Sequence, residues 1–272
     1  MKFKKHYGQN FLRSKRFVER IVQILDLSSN DLVFEIGPGD GFLTTELLHT
    51  EAKVVSIEID YDLLSGLIKK FSNRDNFFLE HGDFLNIDLD AIFDKYYCAN
   101  KKIKFVGSLP YNVSKKIIQK ILEWNYINKL NRVDRCVFVV QEEVAKSYCA
   151  KPPKATILST ISSFYGNFRK YESIPAHCFV PKPKVNGAIV GIDFENIEVL
   201  TEEVLNKILN LIKVAYRNPN KMLKNSLGSL LVDKLSNEAS LYLSKRPVHL
   251  SKFDWMSLEC QTKYFKNIFK RN

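Results

Sequence analysis

"DLVFEIGPGDGFLTTELL", residues 31–48, is the stretch that sets the fold. Leu32 to Ile36 is an apolar run broken by one glutamate, as in a strand buried on both faces. Glycines follow at 37, 39 and 41, around Pro38 and Asp40, and Phe42 then begins a stretch with helical spacing. A glycine-rich turn between a strand and a helix lets the backbone approach a ligand closely. Alone, such a turn can be only a turn. The spacing is G-x-G-x-G, not the G-x-G-x-x-G of the dinucleotide fingerprint.

The neighbouring sequence repeats the same rhythm. Upstream, "SKRFVERIVQILDL" carries Phe17, Val18, Ile21, Val22, Ile24 and Leu25 at helical spacing, with Ser14 as its expected N-cap. Downstream, "KVVSIEID" reads as a second strand, followed by a helix from Tyr61 to Phe71. "NFFLEHGDFL" is a third strand, and "KIKFVGSLPYNVS" is a fourth, with Ser114 expected to cap the helix after it. "RCVFVVQEEVAKSY" is a fifth strand running into a helix. Strands alternating with helices imply a mostly parallel sheet with helices on both faces. The rhythm then changes. "ATILSTISSFYGNFRKYESI" and "VNGAIVGIDF" read as longer strands, close in sequence and antiparallel. From about Glu195 the chain reads as helices: "TEEVLNKILNLIKVAY", "NKMLKNSLGSLL" and "DWMSLECQTKYF". The expected division is an α/β domain over 1–194 and a small all-α domain over 195–272, with no internal repeats.

The 272 residues carry a formal net charge of +11, spread along the chain rather than held in one tail. A small acidic substrate needs no such excess, so a polyanion such as nucleic acid is the favoured partner class. The five cysteines (Cys98, Cys136, Cys149, Cys178, Cys260) form no C-x-x-C pair, and the histidines are equally scattered. Reduced thiols and no metal site are expected. No apolar run approaches the roughly 18 residues that span a bilayer, and "MKFKKHYGQNFL" lacks a signal peptide's apolar core. A cytoplasmic protein is expected, with no membrane partner.

Acidic residues recur where the strands end. Glu58 closes the second strand about 20 residues after the glycine turn, where a carboxylate can take both ribose hydroxyls. Asp83 closes the third and can accept from an adenine amino group; it could equally cap a helix. A single crevice holding an adenosine-containing ligand accounts for all three features. No G-x-x-x-x-G-K-S/T occurs, and Asp40 would repel a pyrophosphate at the turn. S-adenosylmethionine, with an amino acid in place of phosphates, fits better.

The fourth strand ends in "SLPY", residues 108–111. It resembles the amino-methyltransferase motif of Asn, Asp or Ser, any residue, Pro and an aromatic. The exocyclic amine of adenine is conjugated with its ring and is a poor nucleophile. Two acceptors facing its hydrogens can draw the nitrogen toward tetrahedral geometry. The Ser108 side chain and the Leu109 carbonyl are the candidates. Pro110 fixes the turn, and Tyr111 can stack on a base drawn out of its own stack. Phe179, ahead of "VPKPKV", is the candidate for the opposite face, although it could as well be a core phenylalanine at a strand edge.

With these segments in hand, the chain resembles the rRNA adenine dimethyltransferase family, which contains the KsgA enzymes and the Erm resistance methyltransferases. The resemblance spans nearly the whole chain and rests on "HYGQNFL", "EIGPGDGFLT", "IEID", "GDFL", "SLPYNVS" and "FVPKPKV". It implies a Rossmann-like S-adenosylmethionine-dependent methyltransferase sheet. By matching position it implies a cofactor cleft lined by Gln9, Asn10, Leu12, Gly37, Gly39, Glu58, Asp83, Phe84 and Ser108. "VQEEVAKS", "AYRNPNKMLKNSLGSL" and "RPVHLSKFDWMSL" are similar to the KsgA branch. That branch implies N6,N6-dimethylation of two adjacent adenosines near the 3′ end of 16S rRNA during small-subunit assembly. It further implies a monomer acting on the immature subunit. The +11 charge must displace counterions from RNA phosphates, and Lys221, Lys224 and the basic N-terminus are expected to contribute. The alternatives are an Erm-type methylation of 23S rRNA and an assembly factor with weakened catalysis. The chain departs from the branch at Ser108, where Asn is usual, and at Asn218-Pro219-Asn220, where more basic residues are usual.

Overall fold

A computed structural model of the chain describes residues 10–97, 101–128, 133–227 and 237–259. Gln9, Cys98, Cys260 and the ends of the second and third helical runs, from 228 and from 260, lie outside that set. The chain divides into two compact units. One holds the chain up to Lys146 together with Gly166–Asn196; the other holds Ser147–Tyr165 and the chain from Ile197.

The first unit is built on β1 (Phe11–Leu12), α1 (Lys15–Leu25), β2 (Asp31–Ile36), α2 (Phe42–Leu47), β3 (Lys53–Glu58), α3 (Tyr61–Phe71) and β4 (Phe77–His81). It continues with α4 (Leu89–Tyr96), β5 (Lys102–Ser108), α5 (Ser114–Ile127), β6 (Val133–Gln141) and the start of α6 (Glu142–Cys149), whose residues from Ser147 on belong to the second unit. Strands β7 (Asn167–Ile174), β8 (Phe179–Val180) and β9 (Gly187–Asp193) complete it. Seven strands form one sheet in the order β4-β3-β2-β5-β6-β9-β7. The five strands β2 to β6 are parallel, and β9 joins antiparallel between β6 and β7.

The central strands bury both faces, so alternate residues serve separate cores. Val33, Val54, Val106 and Val137 pack with Phe17 and Ile21 of α1, Leu47 of α2 and Leu67 of α3. On the other face Phe34 and Phe105 are register partners with ring centroids 5.3 Å apart, and Phe105 meets Phe84 and Trp124 of α5 edge-on. Each large side chain fully buried this way is worth roughly 1.5–3 kcal/mol.

The helix ends are partly as expected. Ser14 stands at the N-cap of α1 but its side chain makes no capping bond. Ser114 is the first residue of α5 rather than its cap; Val113 takes that place, and the turn is closed by Ser114 N–H donating to the Pro110 carbonyl at 2.9 Å.

The second unit contains α7 (Ile157–Ser162), α8 (Glu202–Ala215), α9 (Leu223–Leu227), α10 (Asn237–Leu243) and α11 (Lys252–Glu259). Here the sequence expectation of a strand through "ATILSTISS" is corrected. Thr156 and Ser159 form a capping box, each side chain accepting from the other's backbone N–H, and this starts α7 despite the β-branched residues. The Tyr216 hydroxyl lies 2.9 Å from Thr160 Oγ1, and Trp255 is fully buried. The segment 147–165 therefore packs with the C-terminal helices, which a single cut at 194/195 does not capture.

Candidate active site

Strand β2 is where the sheet order reverses: β3 and β4 follow on one side, and β5 returns on the other. The loops after β2 and β5 diverge, leaving a crevice at their carboxyl ends. Two pockets fill it. The first is lined by Asn10, Leu12, Gly37, Gly39, Glu58 and Ser108, the second by Asp83, Phe84, Asn112 and Val113, and they meet at Gly37, Ile59 and Pro110.

The glycine turn is shaped by its neighbours. Gly39 has φ +63°, and a Cβ there would collide with the ring of Phe11. Phe11 is held there by an interaction invisible to local periodicity: β1 pairs antiparallel with β8, Phe11 opposite Val180 and Leu12 opposite Phe179. This two-stranded ladder sets Phe179 and Val180 against Phe11 and Leu12, which line the first pocket. Asp40, in the turn, is bound by Arg13 at 2.6 Å.

Glu58 is 3% exposed. Its Oε2 accepts from Gly39 N–H at 3.0 Å and its Oε1 from Asp60 N–H at 2.8 Å. Burial pushes its pKa up, against the pull of these backbone donors. Each oxygen keeps a further lone pair for a ligand. Asp83 caps its own turn, Oδ1 accepting from Leu85 N–H at 2.9 Å and Oδ2 from the Asn86 side chain at 3.1 Å, while lining the second pocket. The capping role and the cleft position coincide.

At the end of β5, Leu109 N–H donates to the Val139 carbonyl at 3.0 Å, which holds the turn against β6. The Leu109 side chain is buried, and Leu109 lines neither pocket. The Tyr111 hydroxyl is buried with no hydrogen-bond partner, and burial pushes its pKa up to about 12. Phe179 is 2% exposed and belongs to the core with Leu12 and Val139. It offers no open second face to a base here. Both rings border Gly187, where an added Cβ would lie 2.8 Å from Phe179 and 3.3 Å from the Tyr111 hydroxyl. Lys221 and Lys224 are exposed, in the helical unit.

Nothing in the sequence motifs points to Glu35, yet it lines the first pocket. Its Oε2 accepts from Thr44 Oγ1 at 2.7 Å and Ser56 Oγ at 2.6 Å. Its Oε1, and Oδ1 of Asp40, are buried without a partner among the described residues. Two such oxygens at one end of a cleft suit a ligand with a cationic end, such as an ammonium beside a sulfonium. The available signal was a glutamate inside an apolar strand, immediately before the turn.

Burial raises the Glu35 pKa from 4.5 to about 7, against the two hydroxyl donors. The folded state then holds this proton more tightly than the unfolded chain. The resulting stability is complete below pH 4.5 and is lost as pH rises through about 7. Glu35→Gln copies the neutral acid. It should be more stable than wild type above about pH 7, by at most roughly 3 kcal/mol, with the gap closing toward pH 4.5. Urea unfolding across that range checks it; a gap independent of pH would contradict the assignment.

Among the described residues no group of His, Cys, Asp or Glu could hold a metal ion, and no helix is long and apolar enough to cross a membrane.

A family profile described as ribosomal RNA adenine dimethylase matches residues 1–252. The chain is 33% identical over 264 residues to a ribosomal RNA small subunit methyltransferase A of Prochlorococcus marinus (strain AS9601), covering 94% of each chain. It is 35% identical over 263 residues to the protein of that name from Sulfurihydrogenibium sp. (strain YO3AOP1), covering 95% of each. Among solved structures, the 23S rRNA methyltransferase ErmE superposes with a TM-score of 0.74 at 23% identity, covering 92% of this chain and 98% of that one, a likeness of fold. S-adenosyl-L-methionine is the cofactor, and the crevice has the unpaired carboxylate oxygens its cationic end calls for. The chain belongs to the ribosomal RNA adenine dimethylases.

Proposed function

We propose that the protein dimethylates N6 of two adjacent adenosines near the 3′ end of 16S rRNA, acting as a cytoplasmic monomer on the immature small subunit. The small-subunit reading is supported by the names of relatives matched over nearly their whole length. The observation that carries the chemistry is the position of Ser108 and Pro110, which line the same pocket as Gly37 and Glu58. The methyl source and the target nitrogen would meet at that turn.

S-adenosylmethionine supplies the sulfonium methyl; each transfer breaks one S–C bond, forms one N–C bond and releases one N6 proton. In this reading Glu58 takes the ribose diol, and Asp83 and Phe84 hold the adenine. Asn10, Leu12, Gly37 and Gly39 complete the cleft, and Glu35 with Asp40 faces the cationic end. Ser108 Oγ and the Leu109 carbonyl accept from the target amine, while Pro110 holds the turn that aims them. Tyr111 stacks on the target base, and Phe179 backs Tyr111 from the core. The helical unit binds RNA, with Lys221 and Lys224 on phosphates, which position the substrate without reading its sequence.

The test is methyl transfer from labelled S-adenosylmethionine to unmethylated small subunits or to protein-free 23S rRNA, with products resolved by mass spectrometry. Dimethyladenosine at two adjacent positions near the 3′ end of 16S rRNA is expected. Label in 23S rRNA alone would favour the Erm-type reading. Binding to small subunits without any transfer would favour an assembly factor.

A further inference from the structure

Lys120 sits on α5, the helix that begins three residues after Tyr111. An ammonium has three N–H donors. Lys120 Nζ donates to the carbonyls of Phe84 at 2.8 Å, Leu85 at 3.0 Å and Ile87, all in the loop between β4 and α4. It also lies 5.5 Å from the centroid of the Phe84 ring. Burial pushes its pKa down, opposed by the nearby charges of Asp83 and Asp88. A half-buried lysine that spends its donors on the carbonyls of a single loop acts as a clamp on that loop.

The clamped loop is the one that carries Asp83 and Phe84. Across the second pocket from it stand Val113 and Ile117, at the start of α5. One turn beyond Lys120, Trp124 Nε1 donates to Asp90 Oδ1 at 3.2 Å, at the start of α4. One helix therefore carries the turn with Ser108 and Tyr111 at its front and grips the opposite wall of the cleft along its side.

We propose that Lys120 is a positioning residue for the methyl-transfer reaction: it fixes the adenine side of the cofactor cleft, residues 83–87, to the helix that carries the base-capturing turn. This rests on the reading of the second pocket as the adenine site. Lys120 itself does not line either pocket. Its loss should act on the adenosine half of the cofactor and leave the amino-acid half unaffected.

The test is calorimetry with S-adenosylhomocysteine and with 5′-methylthioadenosine, which keeps the adenosine and lacks the amino-acid end. Lys120→Met should weaken both by a similar factor, about ten-fold or more, since small displacements of a positioned group have effects of that order. The wild-type preference for S-adenosylhomocysteine over its hypoxanthine counterpart should shrink as well, which a general loss of stability would not produce. Lys120→Arg keeps the charge but spreads its N–H donors over a planar fork instead of one nitrogen, so a milder loss in the same ligand order is expected. Were Lys120→Met unable to fold, this arginine variant would carry the test. A folded variant with wild-type affinities and wild-type base preference would overturn the proposal, as would weakened S-adenosylhomocysteine with unchanged methylthioadenosine. Wild-type protein that bound neither ligand would overturn both the proposal and the reading of the cleft.

Discussion

Glu58→Ala is expected to weaken S-adenosylhomocysteine binding by tens-fold or more. The carboxylate is buried, and each oxygen already accepts one backbone N–H, from Gly39 and from Asp60. Those donors hold it in place and leave it lone pairs for a ribose diol. Charge-assisted hydrogen bonds are worth roughly 1.5–3 kcal/mol each, so losing two would suffice for the effect. Alanine also leaves the Gly39 and Asp60 N–H groups without their acceptor, so the glycine turn keeps only its Gly37 N–H to Ile57 carbonyl bond, at 2.9 Å, to β3. These two contributions can be separated by ligand. Removing the ribose hydroxyls should cost wild-type protein much of its affinity and cost Glu58→Ala little more. Calorimetry with both ligands reads the difference. Unchanged affinity in Glu58→Ala would remove Glu58 from the cofactor site. Equal sensitivity of both proteins to the missing hydroxyls would leave it only the task of anchoring the turn.

Glu58, Asp83 and Ser108 can be read from sequence because of where they stand. Each sits at or just past the carboxyl end of a parallel strand, and an apolar run giving way to polar residues marks that end without any knowledge of tertiary contacts. The order reversal at β2 then brings the three ends to one crevice. What stays hidden depends on contacts distant in sequence or too short to have a period. The β1–β8 ladder involves two residues on each side, so no alternation announces it, yet it sets Phe11 against Gly39 and Phe179 beside Leu12. The β-branched composition of α7 hides the helix, and the Thr156–Ser159 capping box and the contact of Thr160 with Tyr216 oppose that preference. Phe179 could be placed at the site by motif, but its burial depends on Gly187 opening space for its ring. Glu35 was masked by the strand around it, because an apolar run is read for its hydrophobic residues and not for its one carboxylate.

Ser108→Ala and Tyr111→Ala should fail in different ways, and the contrast is the strongest test of the turn at the end of β5. If Ser108 Oγ and the Leu109 carbonyl accept from the target amine, they matter most when the nitrogen becomes tetrahedral. Ser108→Ala should then lower the transfer rate by roughly ten-fold or more while RNA affinity stays nearly intact, because an interaction formed mainly in the transition state acts on turnover. Ser108→Asn supplies an acceptor of longer reach and should keep or raise activity. Tyr111→Ala removes a stacking face worth about 1–3 kcal/mol per base, so it should impair base capture as well as rate. Tyr111→Phe isolates the hydroxyl, which is buried without a partner. Phenylalanine keeps the ring and removes an unsatisfied donor whose burial costs roughly 1–3 kcal/mol, so the variant should retain capture and gain stability. Single-turnover methylation of unmethylated small subunits, with mono- and dimethyladenosine resolved, separates these cases. A Ser108→Ala protein that transferred both methyl groups at the wild-type rate would reduce residues 108–111 to a tight turn between strand and helix. The convergence of the two pockets at Pro110 would then need another explanation.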